Sequence, residues 1–357
     1  MHHPLSFSVI IPLYNKEAYI ARAIQSVVAQ DWQDYEVLVI DDGSTDNGPE
    51  VLGPWLPDPR IRLITQANSG AGAARNRGLA EMRNDVAAFL DADDEWLPSH
   101  LRDLAELAST YPQSGELATA YCAAYPGGLA FNHSIDRHSP SLITDYYRLA
   151  ASGHTVHISA CGLHSSVLAE RLRFKENASP CEDQEFYVRA ALHSSFAYHP
   201  RISALYHHDV GGSVMANARW LATLPLTAET LSGMLRDDVV PAGMRESASA
   251  YLAWLIEQHG LAGLALGEKA GARSLLRQAQ LEPISDRCKQ RLNWLEHIVQ
   301  MTPLSLLKLS VRFRRSRWYL VIAKLLSKRI VYMPPSATVR ATTRRQAAPR
   351  SGPVMGS

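Results

Sequence analysis

Four apolar runs separated by helical patterns constrain the opening of this chain more than any other feature. "FSVIIPL" (7–13), "YEVLVI" (35–40), "RIRLIT" (60–65) and "DVAAFL" (85–90) each have the length and side chains of a strand. Between them, "NKEAYIARAIQSVVAQ" places Ile20, Ile24, Val27 and Val28 on one helical face, with Asn15 positioned to cap it. "AGAARNRGLAEM" (71–82) reads as a second helix. Strands alternating with helices predict an α/β architecture, a mostly parallel sheet flanked by helices. In such sheets ligands bind beyond the carboxyl ends of the strands.

That rule directs attention to the strand ends. The first run ends in Pro12, Leu13, Tyr14 and Asn15, the second in "DDGSTD" (41–46), the fourth in "DADDE" (91–95). One polar loop is ordinary, but three on one rim point to a site. Asp91, Asp93, Asp94 and Glu95 repel one another and lose hydration at the edge of a core. A divalent cation would offset that cost. Asp91 and Asp93, two apart on an extended segment, point the same way. Mg²⁺ or Mn²⁺ is commonly held by one or two carboxylates plus substrate phosphates. A calcium-binding EF-hand does not fit, because Leu97 and Pro98 interrupt its pattern, and an aspartyl phosphatase lacks a supporting partner. "NSGAGAARNRG" (68–78) begins a G-x-G. Arg75 takes the third glycine position and the segment follows the third strand, so a dinucleotide fingerprint fails. Arg75 instead offers a fork to a phosphate or to the acidic rim, or simply makes a surface ion pair.

Beyond residue 115 the pattern is less regular. "HTVHISACGLHSSVL" (154–168) reads as a strand entering a turn or short helix. "CEDQEFYVRAAL" (181–192) reads as a helix with Glu182 and Asp183 in its first turn, where the dipole favours acids. "FAYHPRISALYHH" (196–208) suggests a strand or strand pair, and 218–300 is helical. Four scattered cysteines without a C-x-x-C pair argue against a zinc ribbon or disulfide framework and suit a reducing compartment. The strand-like start at residue 7 leaves little room for a signal peptide, so a cytoplasmic location is expected. Residues 297–357 hold twelve of the 36 Lys and Arg and none of the 35 acids. The segment 303–332 mixes these with Leu, Trp and Tyr in apolar runs far too short to span a bilayer. It reads either as a peripheral contact with an anionic membrane or as a basic helix on the acidic body.

"VIIPLYN", "VIDDGSTD", "NSGAGAARNRGL" and "FLDADD", in this order and spacing, resemble the nucleotide-sugar domain of inverting family 2 glycosyltransferases, which have the GT-A fold. The resemblance is strong over 7–100 and looser over 101–210. It implies a GT-A domain at 1–215, with a nucleotide-sugar half to about 110 and an acceptor half at 111–215. A helical extension at 216–300, a basic amphipathic segment at 301–333 and a disordered tail at 334–357 would follow. It implies that Pro12, Tyr14, Asn15, Asp41, Asp42, Arg75 and Asp91 hold the nucleotide-sugar, with Asp42 on the base. Asp93 is the implied ligand to Mg²⁺ or Mn²⁺, with Asp94 a close competitor. Asp183, or second Glu182, is the implied base, and His208, or less readily His207, meets metal or phosphate. The implied reaction moves a sugar from a nucleotide diphosphate-sugar, a UDP-sugar being expected, to a hydroxyl of a glycan or lipid-linked acceptor, in cell-surface polysaccharide synthesis. Nucleic acid is not an expected partner. A nucleotidyltransferase using a sugar phosphate is the competing enzyme class, but it would carry a glycine-rich loop right after strand one, and "PLYNKEAY" has no glycine. A degenerate glycan-binding module would have lost the acids at 42, 93 or 183, and all three are present.

Overall fold

The computed structural model describes residues 5–302 except 126–127, 132–137, 155, 166–171, 177, 179–180 and 208–224. In chain order the first half runs β1 (Phe7–Leu13), α1 (Ile20–Val28), β2 (Tyr35–Asp41), α2 (Gly48–Val51), β3 (Ile61–Thr65), α3 (Ala71–Glu81), β4 (Val86–Phe89), β5 (Glu95–Trp96) and α4 (His100–Thr110). Then come β6 (Glu116–Tyr125), β7 (Gly128–Phe131), β8 (Ser141–Ile143), α5 (Tyr146–Ala151), β9 (Cys161–His164), α6 (Glu182–Ala190) and β10 (Phe196–His207). Helices α7 (Leu226–Arg236), α8 (Arg245–Leu266), α9 (Lys269–Gln278) and α10 (Asp286–Met301) complete the described chain.

The strands form one sheet in the order β3-β2-β1-β4-β9-β6-β10-β5, with β7 beside β6 and β8 beside β10. Strands β3, β2, β1 and β4 are all parallel, as the strand–helix alternation predicts. Past β4 the sheet is mixed. β9 lies antiparallel between β4 and β6, while β6 and β10 are parallel. Leu13 pairs with Asp41 at the ends of β1 and β2, and Leu90 donates its N–H to the Ile10 carbonyl at 3.1 Å. The carboxyl ends of β1, β2 and β4 therefore lie side by side, which gathers the loops after them on one rim.

Alternation along β1 divides the core in two. Phe7, Val9, Ile11 and Leu13 pack with Ile20, Ile24 and Val27 of α1 and with Leu101 and Leu104 of α4. Ile10 faces the other way, with Leu38, Ile40 and, from α3, Ala74 and Leu79. The same second core continues into the C-terminal helices: Tyr146 of α5 stacks on Phe196 of β10 at 4.8 Å and meets Tyr251 of α8 edge-on at 6.4 Å. The helical region after residue 225 thus shares a core with the sheet.

One local expectation changes. Helix α1 begins at Ile20 rather than beside Asn15, and Asn15 does not cap it. Asn15 has a left-handed backbone (φ 51) and turns its carboxamide to the neighbouring loop instead. In 154–168 strand β9 leads into a helical Ser165, the order expected, and a 3₁₀ turn at Ile158–Ala160 comes before the strand. Of the strand or strand pair expected at 196–208, the structure has one long strand, with register shifts around Ile202.

Candidate active site

The rim is first a network between loops. The Asn15 Oδ1 accepts the Thr45 N–H at 2.7 Å, and Asp46 accepts the Glu17 N–H at 2.8 Å, so the β1 and β2 loops are tied together. Asp41 accepts the Ser44 N–H at 2.9 Å and shapes its own turn. Asp42 is buried and its carboxylate takes three donors: Gln66 Nε2 at 2.8 Å, Ser69 N–H at 2.9 Å and Gly70 N–H at 2.7 Å. Gly70, at φ 89, supplies the left-handed turn that lets α3 start there. Pro12 is partly buried at the end of β1, and Tyr14 beside it is 46% exposed, an aromatic face open to solvent on a rim of acids.

The three aspartates after β4 have three different environments. Asp91 accepts a hydrogen bond from the Arg75 guanidinium at 2.7 Å, and its N–H donates to Ser159 Oγ at 3.1 Å. Asp93 is partly exposed and pairs with the Lys16 ammonium at 2.6 Å, while Arg22 donates to its main-chain carbonyl. Asp94 is fully buried: Ser159 Oγ donates to it at 2.5 Å and the His207 N–H at 3.0 Å. Burial, with the charges of Asp91 and Asp93, holds the Asp94 carboxyl well above the usual carboxylate range. Asp94 therefore clasps the end of β10 against the acid loop.

Arg75 connects this loop to the acceptor side. It is 3% exposed and forks between Asp91 and Glu182 Oε1, at 2.7 and 2.8 Å, with the Phe174 ring 5.5 Å from its guanidinium carbon. Burial alone would lower its pKa, but the two carboxylates outweigh that and hold it above the ordinary arginine value. Glu182 and Asp183 open α6 directly after Cys181, whose left-handed backbone (φ 76) is strained for a residue with a side chain. The Asp183 carboxylate accepts the Gln184 N–H at 2.8 Å. Burial and the adjacent Glu182 push its pKa up to about 7, with Arg75 pulling the other way. The rim thus carries a fixed cation, a partly exposed acid paired with a lysine, and a carboxyl poised to exchange a proton near neutrality.

Residues 8–171 match the family model described as Glycosyl transferase family 2. These residues form a family 2 glycosyltransferase domain. The family 2 domain accounts for the relatives found. An uncharacterized glycosyltransferase of Nostoc sp. is 47% identical over 109 residues, 30% of this chain and 34% of that protein. The succinoglycan biosynthesis protein ExoW of Rhizobium meliloti is 40% identical over 129 residues, 35% of this chain and 39% of that one. The chain spans about a third of the length of the curated relatives first matched (34% and 35%). Among solved structures, S. aureus TarS 1–349 in complex with UDP-GlcNAc superposes with a TM-score of 0.67 at 20% identity, covering 87% of this chain and 92% of that one. A mannosyltransferase from Pyrobaculum calidifontis with GDP-Man and Mn²⁺ superposes at 0.56 and 17% identity, covering 92% and 89%. The likeness is one of fold, and it identifies the sheet as GT-A.

Within the family 2 domain, the acids expected to meet a metal can be tested against their surroundings. Asp93 already faces a cation, the Lys16 ammonium, with a carboxylate that is partly open to solvent. An all-oxygen donor set suits Mg²⁺ or Mn²⁺. Asp93 offers the partly open carboxylate that such an ion needs, whereas Asp91 is engaged by Arg75 and Asp94 has both oxygens engaged inside the protein. His208 lies outside the described residues. His207 has its Nε2 3.4 Å from Glu95. A separate cluster, Asp103, Glu106 and His199, has metal-like spacing. There Arg201 already pairs with Asp103, and its N–H donates to His199 Nδ1 at 3.0 Å. The neutral tautomer that accepts this bond carries its proton on Nε2, the nitrogen that a metal at Glu106 would need. Lys16, Arg22 and Ser159 escaped the sequence reading. Lys16 adjoins Asn15 in "PLYNK" and was within reach of it, whereas Ser159 has no sequence signal.

Proposed function

We propose that this chain is a metal-dependent inverting glycosyltransferase. It would move a sugar from a nucleotide diphosphate-sugar, preferentially a UDP-sugar, to a hydroxyl of a glycan or lipid-linked acceptor. The observation that carries this reading is Asp183, a carboxyl held near pKa 7 on the first turn of α6 and linked through Glu182 and Arg75 to Asp91. A base for direct displacement must take the acceptor's proton as the hydroxyl attacks, and a pKa close to the working pH suits that task. In this reading Pro12, Tyr14, Asn15, Asp41 and Asp42 hold the nucleotide at the ends of β1 and β2, and Arg75 and Asp91 orient the sugar side. Asp93 is the principal metal ligand, braced by Asp94. A bound Mg²⁺ or Mn²⁺ would neutralise the diphosphate as it departs.

The related proteins support the substrate classes. TarS 1–349 was crystallised with UDP-GlcNAc, and ExoW is named for succinoglycan biosynthesis. A cell-surface polysaccharide acceptor follows as the reading for this chain. Among the described residues no helix is long and apolar enough to cross a membrane. We place the basic segment 303–332, which lies outside the described residues, on the anionic inner face of the cell membrane. Liposome sedimentation with and without residues 303–357 tests this.

The decisive experiment is hydrolysis and transfer across a panel of nucleotide-sugars with and without Mn²⁺, with the anomeric configuration of the product read by NMR. Release of nucleoside diphosphate with inversion is expected. A retained anomer, or pyrophosphate formed from a nucleoside triphosphate and a sugar phosphate, would overturn the reading.

A further inference from the structure

We propose that Lys16 is a resident cation that guards Asp93 and couples metal binding to donor binding. This deepens the metal reading given above and rests on it. The Lys16 Nζ lies 2.6 Å from Asp93 Oδ2, and the two side chains are 18% and 20% exposed. The lysine backbone is fixed. Its carbonyl accepts from the N–H groups of Tyr19 at 2.9 Å and Ile20 at 3.0 Å, and the preceding Asn15 is pinned to Thr45 at 2.7 Å. Only the four-carbon stem is free to swing, with the Tyr19 ring 5.8 Å from its ammonium.

The neighbouring acid is held differently. Asp91 is paired with Arg75, which is 3% exposed and engages two carboxylates at once. Arg75 is held on two sides, whereas among the described residues Lys16 pairs with Asp93 alone and its side chain is 18% exposed. A divalent ion needs an oxygen of the same carboxylate, and the ammonium already on Oδ2 repels it at contact range. Lys16 must therefore leave before Asp93 can ligate. A displaced ammonium on this rim gains most where a new anion arrives, and a nucleotide diphosphate across the strand ends supplies one. Lysine, a hydrated point charge on a flexible stem, suits such a transfer. Nucleotide then draws Lys16 off Asp93, which favours metal, and metal displaces Lys16 towards nucleotide. The coupling is reciprocal by linkage.

The test uses the full chain and its Lys16→Met variant, with Mn²⁺ binding followed by EPR with and without UDP. Without UDP, K16M is expected to bind Mn²⁺ about threefold to tenfold more tightly than the unsubstituted protein, the scale of a partly exposed ion pair and its repulsion removed. The factor by which UDP strengthens Mn²⁺ binding is expected to shrink by a similar amount. Chelation by free UDP is common to both proteins and cancels in the comparison. Unchanged or weaker Mn²⁺ binding by K16M without UDP, in a protein with an unchanged melting temperature, overturns the proposal. Asp93→Asn separates the two ideas: if it binds Mn²⁺ as tightly as the unsubstituted protein, the metal reading itself fails, whatever Lys16 does.

Discussion

Arg75 donates to Asp91 at 2.7 Å and to Glu182 at 2.8 Å, so one buried guanidinium joins the acid loop after β4 to the first turn of α6. Its removal leaves two acids facing each other without a counter-charge. Arg75→Met is expected to lower stability by about 2–4 kcal/mol, read from urea unfolding. Arg75→Lys keeps the charge but not the fork, so its loss should be smaller in stability yet still severe in transfer. Because the Arg75 charge lowers the Asp183 pKa, the acid limb of any residual Arg75→Met activity should move to higher pH.

Asp183 makes activity and stability run in opposite directions with pH. As a base it must be ionised, so kcat/KM should rise tenfold per pH unit up to about 7 and then level off. The unfolded chain releases this proton near 3.8 and the folded one near 7, so the folded state loses stability as pH rises between them. Asp183→Asn should abolish transfer, leave UDP binding by isothermal titration nearly intact, and raise stability at pH 8 by about 1–3 kcal/mol. Loss of UDP binding, with normal transfer per bound molecule, would remove Asp183 from the role of base.

The first half of the molecule was legible because each element there obeys one period. The runs at 7–13, 35–40, 60–65 and 85–90 are recovered as β1–β4 within a residue or so, and their parallel pairing fixes which loops share a rim. In the second half the helix at 182–190, the strand at 196–207 and the helices after 225 are recovered as well, but β6, β7 and β8 were not read, because each is held by partners that its own short sequence does not reveal. The same reason hid the character of the acids. Asp91, Asp93 and Asp94 look alike in "DADD", and only Arg75, Lys16 and Ser159, brought in from α3, the β1 loop and the turn before β9, make them different. Asn15 was misread as a cap because residue type alone cannot distinguish capping a helix from pinning a loop.

Glu116, at the start of β6, is 2% exposed, and its carboxyl is met by the Ser194 hydroxyl. Burial pushes its pKa up to about 8, against the hydrogen bond from Ser194. The unfolded chain ionises this group near 4.5, so stability should be full below that value and fall as pH climbs to about 8. Glu116→Gln keeps the shape without the titration. Urea midpoints at pH 5.5 and pH 8 should lie closer together in the variant than in the unsubstituted protein, and an equal spacing would mean that Glu116 is already ionised in the fold.

Gly78 shows how closely α3 is held to the sheet. A Cβ at this position would strike the side chain of Ile10 on β1, which is wholly buried. Helix propensity alone favours alanine there by about 1 kcal/mol, while overpacking a tight core contact costs about 1–3 kcal/mol. Gly78→Ala should therefore be destabilising, by about 1–2 kcal/mol in urea. Arg75 lies one turn earlier on the same helix, so lifting α3 from β1 also displaces the guanidinium from Asp91 and Glu182, and transfer should fall with stability. Ile10→Ala makes room for the new methyl group. In a double-mutant cycle the pair Ile10→Ala and Gly78→Ala should be less damaging than the sum of the single changes. Strict additivity would mean that contact with Ile10 is not what requires glycine at 78.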